Sequence, residues 1–251
     1  MRKLILLTAL FCFALALAQA PLEEAKKQFN AGVQAEKAGK LDEAIVAYEG
    51  ALKVSPGYPD AHRNLAAAYQ RKKIYAKALP HLEAVTDSKN VDNLNALGAL
   101  AMLAKDYTKA VFSFEQALII KPNDSKLMMA LAETYKKNRQ TANAVETYKK
   151  VMSADPKNAT ARFNLGKIYY DDQEYVQAQA TFKQMMIDLP ADHRGFYMYA
   201  LSVHSEDPEN VEAYQPLYEE VIKRFKGNTK AASNVKAAEK VIDEIKNPKK
   251  K

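Results

Sequence analysis

One interval recurs through this chain and limits what it can fold into. Alanines in similar settings stand at Ala44, Ala78, Ala110, Ala144 and Ala178, spaced by 34, 32, 34 and 34 residues. A second series of small residues, Gly32, Ala66, Gly98, Ala132 and Gly166, has the same spacings. Prolines at Pro56, Pro122, Pro156 and Pro190 keep the same phase, and Asn90 stands where one is missing, beside the two-residue deletion. Three series that share one deletion mark a repeated structural unit. A unit of this size is one supersecondary element that cannot bury its apolar face alone, so successive units must stack.

Each unit divides into two helical patterns. In the fifth, Phe163, Gly166, Tyr169 and Tyr170 belong to a first helix, and Tyr175, Ala178, Phe182 and Met185 to a second. Spacings of three and four place each set on one helical face. Short polar turns separate the two: Gly39-Lys40, Lys73, Lys105-Asp106, Asn138-Arg139 and Asp171-Asp172. The proline that follows the second helix ends it, because it has no amide hydrogen to donate. Asp60, Asp92, Asp124, Ser125 and Thr160 lie near the starts of first helices, where they are expected to cap free amides. The small residues belong where the helices of a pair cross, and a larger side chain there forces the axes apart. Leu65, Leu97, Leu131 and Leu165, with Tyr48, Leu82, Phe114, Tyr148 and Phe182, are expected to fill the space around the crossing. The fold class is therefore all-α, an α-solenoid of antiparallel helix pairs.

These residues resemble the tetratricopeptide repeat (TPR), a 34-position signature of a bulky residue, Leu, Gly or Ala, Tyr, Ala, an aromatic, Ala and Pro. The fourth unit carries Met128, Leu131, Ala132, Tyr135, Ala144, Tyr148, Val151 and Pro156, and the fifth Arg162, Leu165, Gly166, Tyr169, Ala178, Phe182, Met185 and Pro190. The resemblance implies a superhelical array over 25–227, with units at 25–58, 59–90, 91–124, 125–158 and 159–192. A degenerate sixth at 193–227 holds Phe196, Tyr199, Ala200, Ala213 and Leu217. Residues 229–246 read as a polar capping helix and 247–251 as a basic tail. Pro80 and Pro216 fall inside second helices, and a kink is expected at Pro80.

The N-terminus reads as an address. Arg2 and Lys3 precede an apolar stretch from Leu4 to Leu17, followed by small-residue sites ending at Ala18 and Ala20. This is the layout of a secretory signal peptide over 1–18, or 1–20 by the second site. The stretch is shorter than the roughly 20 residues a spanning helix needs. Cys12, the single cysteine, lies within it, and Phe11 ahead of it argues against a lipoprotein site. Cleavage leaves a cysteine-free chain, suited to an oxidising compartment, and lowers the net charge from +7 to 35 − 30 = +5.

Chemistry is hard to find. The chain holds no Gly-rich phosphate loop, no Gly-x-Ser-x-Gly and no His-Glu-x-x-His. His193 and His204 share a helical face but sit about 16 Å apart along it, too far for one metal ion. The carboxylate pairs Asp42-Glu43, Asp171-Asp172 and Glu219-Glu220 fall at helix starts, turns or helix surface rather than in any catalytic pattern. Basic residues are spread among acidic ones, and only Lys249-Lys250-Lys251 form a run, so nucleic acid is not the expected partner. No cofactor is expected.

What the resemblance implies about a site is a groove lined by first helices. Family geometry maps onto it an apolar track of Met102, Leu103, Met129, Phe163, Tyr170 and Tyr197. Basic groups at Arg63, Arg71, Lys136, Lys137, Lys167 and Arg194 accompany that track. The family's carboxylate clamp is not reproduced, since Phe29 and Val33 occupy its first two places and Ala96 fails in the third unit. The expected function is a non-enzymatic protein-interaction adaptor of the periplasm or cell envelope, gripping an apolar partner segment with acidic flanks. The alternative is an envelope scaffold that acts by self-assembly into homo-oligomers.

Overall fold

The computed structural model describes residues 22–248. The expected signal peptide and the last residues of the basic tail lie outside the described residues. Helix α1 spans 22–37. It is followed by α2 Leu41–Val54, α3 Pro59–Arg71, α4 Tyr75–Glu83, α5 Val91–Leu103, α6 Tyr107–Ile120 and α7 Ser125–Lys137. Then come α8 Thr141–Ala154, α9 Ala159–Asp171, α10 Tyr175–Asp188, α11 His193–Glu206, α12 Val211–Phe225, a 3₁₀ turn at Thr229–Ala231 and α13 Ala232–Lys246. No strand occurs among the described residues. The chain forms two compact units, one ending at Pro122 and one beginning at Asn123. Repeats 1 to 3 fall in the first, and repeats 4 to 6 with α13 in the second.

The turn inside each pair has one geometry. Gly39, Lys73, Lys105, Arg139 and Gln173 all take left-handed φ, between 59° and 76°. The next amide then reaches back five residues, as Lys40 N does to Ala35 O (2.9 Å) and Gln140 N to Tyr135 O (2.8 Å). This closes the first helix and satisfies its last carbonyls. The caps differ from expectation. Side chains of Asn90, Asp124, Asn158 and Asp192 accept from first-turn amides. Of the expected caps only Asp124 holds. Asp60, Asp92 and Thr160 lie inside the first turn, because each helix starts one or two residues earlier than the periodicity alone indicates.

Packing bears out the small-residue series and sharpens it. A Cβ on Gly32 would lie 2.6 Å from the Tyr48 ring, one on Gly98 2.8 Å from Phe114, and one on Gly166 2.7 Å from Phe182. The second-helix aromatic therefore rests directly on the first-helix glycine. Leu65, Leu97, Leu131 and Leu165 are buried, while Leu82 is only half-buried. Helix α4 holds Pro80 inside it and ends after nine residues, against fourteen in α2, α6, α8 and α10. The two-residue deletion thus appears as a shortened second helix. In the sixth repeat the buried residues are Tyr214 and Tyr218, not Ala213 and Leu217. The longer link between α11 and α12 moves the register by one, and Pro216 faces outward. Helix α13 buries Val235, Ala238 and Ile242 and exposes Lys236, Glu239, Lys240 and Asp243, the pattern a terminal helix needs to keep an array soluble.

Candidate partner-binding faces

In the second unit the first helices follow one another as α7, α9 and α11, with α9 touching α11. Met129, Phe163, Tyr170 and Tyr197 lie on them, all half-buried. The three aromatic ones are each seated on a core ring or a polar neighbour while leaving part of their surface open. Phe163 tilts against Phe182 (centroids 6.2 Å apart), and the Arg194 guanidinium lies 4.8 Å from its centroid. The Tyr170 hydroxyl pairs with Ser205 Oγ at 2.9 Å. Tyr197 meets the edge of Tyr218 at 6.2 Å. Burial, with Tyr170 nearby, pushes the Tyr197 phenol upward, so it stays a neutral donor.

The basic groups are already paired. Lys136 and Lys137 both reach Glu133, at 3.1 and 3.9 Å. Lys167 pairs with Asp171 at 2.7 Å. Arg194 holds Asp192 through Nε at 2.9 Å and a terminal nitrogen at 2.6 Å, and that bond raises the guanidinium further above its ordinary value. The basic excess read from sequence is therefore answered by carboxylates of the same or the adjoining segment.

The first unit presents a more polar face. Arg63 pairs with Asp60 in its own helix at 2.7 Å. Arg71 crosses from α3 to Glu36 on α1 at 2.6 Å. Met102 is half-buried, and Leu103, the last residue of α5, is 54% exposed.

Three features escaped the sequence reading. The first is a polar relay in repeats that use Tyr rather than Phe. Tyr48 OH donates to Glu36 (2.9 Å) and accepts from Asn64 (3.2 Å). Tyr148 OH donates to Glu133 (3.3 Å) and accepts from Asn164 (3.2 Å). Burial, then Glu133, pushes the Tyr148 phenol up. A signal existed, since Asn follows each of these tyrosines by 16 residues while Ala130 and Met198 follow Phe114 and Phe182. The second is a histidine pair, His62 Nδ1 to His81 Nδ1 at 3.0 Å, with His62 Nε2 at 2.8 Å from Pro56 O. A carbonyl only accepts, so His62 Nε2–H donates to it and its Nδ1 accepts from His81. The third is Arg162, 5% exposed at a place that is Met128 in the preceding repeat. It is held by Asp188 and by Pro156 O (2.7 Å). His193 bonds Asn234 (3.0 Å), and His204 bonds Tyr218 (3.2 Å) and stacks on Tyr214. Among the described residues no three metal-ligating side chains converge, and no helix is long and apolar enough to cross a membrane.

An all-α array of helix pairs whose first helices offer half-open apolar side chains defines a helical-repeat protein. The chain is a member of the tetratricopeptide-repeat family. A family profile described as "Cytochrome c-type biogenesis protein H TPR domain" matches residues 81–196, and one described as "TPR repeat" matches 37–73. The chain is similar to the general transcriptional corepressor trfA of Dictyostelium discoideum, 30% identical over 130 residues, which are 50% of this chain and 9% of that protein. It is similar to the type IV pilus assembly protein PilF of Pseudomonas aeruginosa, 25% identical over 153 residues, 57% of this chain and 59% of that protein. The match spans less than two thirds of the length of either relative. In fold it is similar to the C-terminal part of a TPR repeat-containing protein from Cytophaga hutchinsonii, at a TM-score of 0.64 and 17% identity, over 88% of this chain and 89% of that one.

Proposed function

We propose that the protein is a non-enzymatic adaptor of the periplasm or cell envelope that grips a segment of another protein on its first-helix faces. TPR proteins generally mediate protein–protein interaction, which supports the class. The observation that carries the reading is the row Met129, Phe163, Tyr170 and Tyr197, apolar groups left half-open on successive first helices. The partner segment is apolar, and half-open aromatic faces already packed on their neighbours suit it at low entropic cost. Acidic flanks on the partner contribute little, because they must displace Glu133, Asp171 and Asp192 from the cations they already hold. The N-terminal layout supports export, and pilus assembly in one relative's name is in keeping with an envelope setting.

The test is crosslinking in cell envelopes with a photoreactive residue at position 201, one turn from Tyr197 on α11. It should yield one defined partner, and the Tyr170→Ser/Tyr197→Ser double variant should lose about tenfold of that capture with helicity unchanged. Charge reversal at Lys136, Lys137 and Lys167 should change it by less. Capture that is indifferent to the tyrosines would remove this face from the function.

A further inference from the structure

The turns between the first and second helix of each repeat carry charge that changes sign along the chain. After α3 the turn reads Arg71-Lys72-Lys73, after α5 it carries Lys105, and after α7 it reads Lys136-Lys137-Asn138-Arg139. After α9 it becomes Asp171-Asp172-Gln173-Glu174, and after α11 Glu206-Asp207-Pro208-Glu209.

Within the first unit Arg71 and Lys72 are tied to Glu36 and Asp42. Lys73 and Lys105 are exposed and meet no carboxylate among the described residues. Two large apolar side chains share that edge, Ile74 at 37% exposure and Leu103 at 54%. Within the second unit Lys167 answers Asp171, while Asp172, Glu174, Asp207 and Glu209 are exposed and meet no cation among the described residues. Val176, 64% exposed, stands beside them. An open cleft of about 700 Å³ lies there too, lined by Val145, Tyr169, Asp172 and Glu174 among others. The opposite edge of this unit shows no such excess, since Asp188 and Asp192 are held by Arg162 and Arg194.

We propose that these turns are self-association surfaces, with the basic turns of one copy seated on the acidic turns of a second. The occupant is a second copy because both halves of a complementary pair occur in one chain at one structural position. The basic turns occupy three successive repeats and the acidic turns two, so the stacking interval that spaces the cations spaces the carboxylates. Ile74 and Leu103 meet Val176 and the cleft as an apolar centre with a charged rim, the usual anatomy of an interface. The charges steer the encounter and fix its register, and the apolar centre supplies the affinity. The proposal rests on charges and apolar groups other than the row on α7, α9 and α11, so it does not depend on the adaptor reading.

Sedimentation of the protein over a concentration series tests it. At about 50 mM salt the mass should grow with concentration, and at about 500 mM, where screening reaches only a few ångströms, the dissociation constant should rise about tenfold. The Lys73→Glu/Lys105→Glu and Asp172→Lys/Glu174→Lys variants should each stay monomeric alone and associate when mixed. The mixture also controls for folding, because an unfolded variant cannot restore the contact. A wild-type chain that is monomeric at low salt overturns the proposal. So does association that survives either variant alone, or that strengthens with salt.

Discussion

Gly32 and Gly50 lie in the same repeat, each inside a helix, and the same change to alanine should move stability in opposite senses. Alanine is about 1 kcal/mol better than glycine in a helix interior, and that gain is common to both. At Gly50 the new methyl meets Gln28 Oε1 at 3.2 Å, the end of a flexible side chain that can turn away. At Gly32 it meets the Tyr48 ring at 2.6 Å, about 1 Å inside ordinary carbon–carbon contact. That ring cannot swing aside, since it is fully buried and its hydroxyl is tied to Glu36 and Asn64. Overpacking of this kind costs about 1–3 kcal/mol. Ala132 stands opposite Tyr148 at the same place in repeat 4, so the fold accepts the pair once the helices are set for it, which favours the middle of that range. Gly50→Ala should therefore stabilise by about 1 kcal/mol and Gly32→Ala fall about 2 kcal/mol below it. Urea unfolding followed by circular dichroism, with hydrogen exchange of the α1 and α2 amides to allow for repeats that open separately, measures the difference. If Gly32→Ala equals or exceeds Gly50→Ala, the ring-on-glycine account of the repeat is wrong.

Further outcomes follow from buried polar groups. Arg162→Met should lower thermal stability by no more than about 1 kcal/mol, because an apolar side chain of similar size fills the site while Asp188, 30% exposed, turns to water and keeps Gln184. Arg162→Ala should lower it by about 2–4 kcal/mol through the cavity it leaves. In either variant the Asp188 carboxyl, now held below the usual range by its bond from Arg162, should titrate higher by NMR. In the wild type its contribution is present above the ordinary carboxylate value and is lost as pH falls through the depressed one. Burial, aided by His62, pushes the His81 imidazole down, and burial lowers His193 and His204. The unfolded chain then binds more protons, so stability should fall as pH drops from above 6.5, and His81→Asn should flatten that fall in denaturation series of the first unit. Tyr148→Phe should cost about 1 kcal/mol by removing the acceptor of Asn164, Glu133 keeping its lysines, whereas Phe182→Tyr, with Met198 in place of the asparagine, should gain nothing by the same measure.

The repeat interval, the two-helix unit and the all-α class were open to reading in the chain alone. They rest on periodicity, and a 34-residue period with small residues in phase leaves one way to bury the apolar faces. The half-open row of Met129, Phe163, Tyr170 and Tyr197 was also nameable, since repeat position assigns a residue to a helix and a face. The chain could show only in part which charges remain free. Lys136, Lys137 and Lys167 read as a basic groove although Glu133 and Asp171 stand three or four residues away on the same helices, a spacing open to reading. The pairing of Arg71 with Glu36 on another helix needed the folded backbone. Nor could the chain alone show the left-handed turns at Lys73, Lys105, Arg139 and Gln173, because the stacked helices impose a conformation these residues do not announce. Tyr218 taking the place expected for Leu217 has the same origin. A loop of different length shifts register without disturbing the pattern of apolar residues, and the core, filled by whichever ring reaches it, decides the outcome.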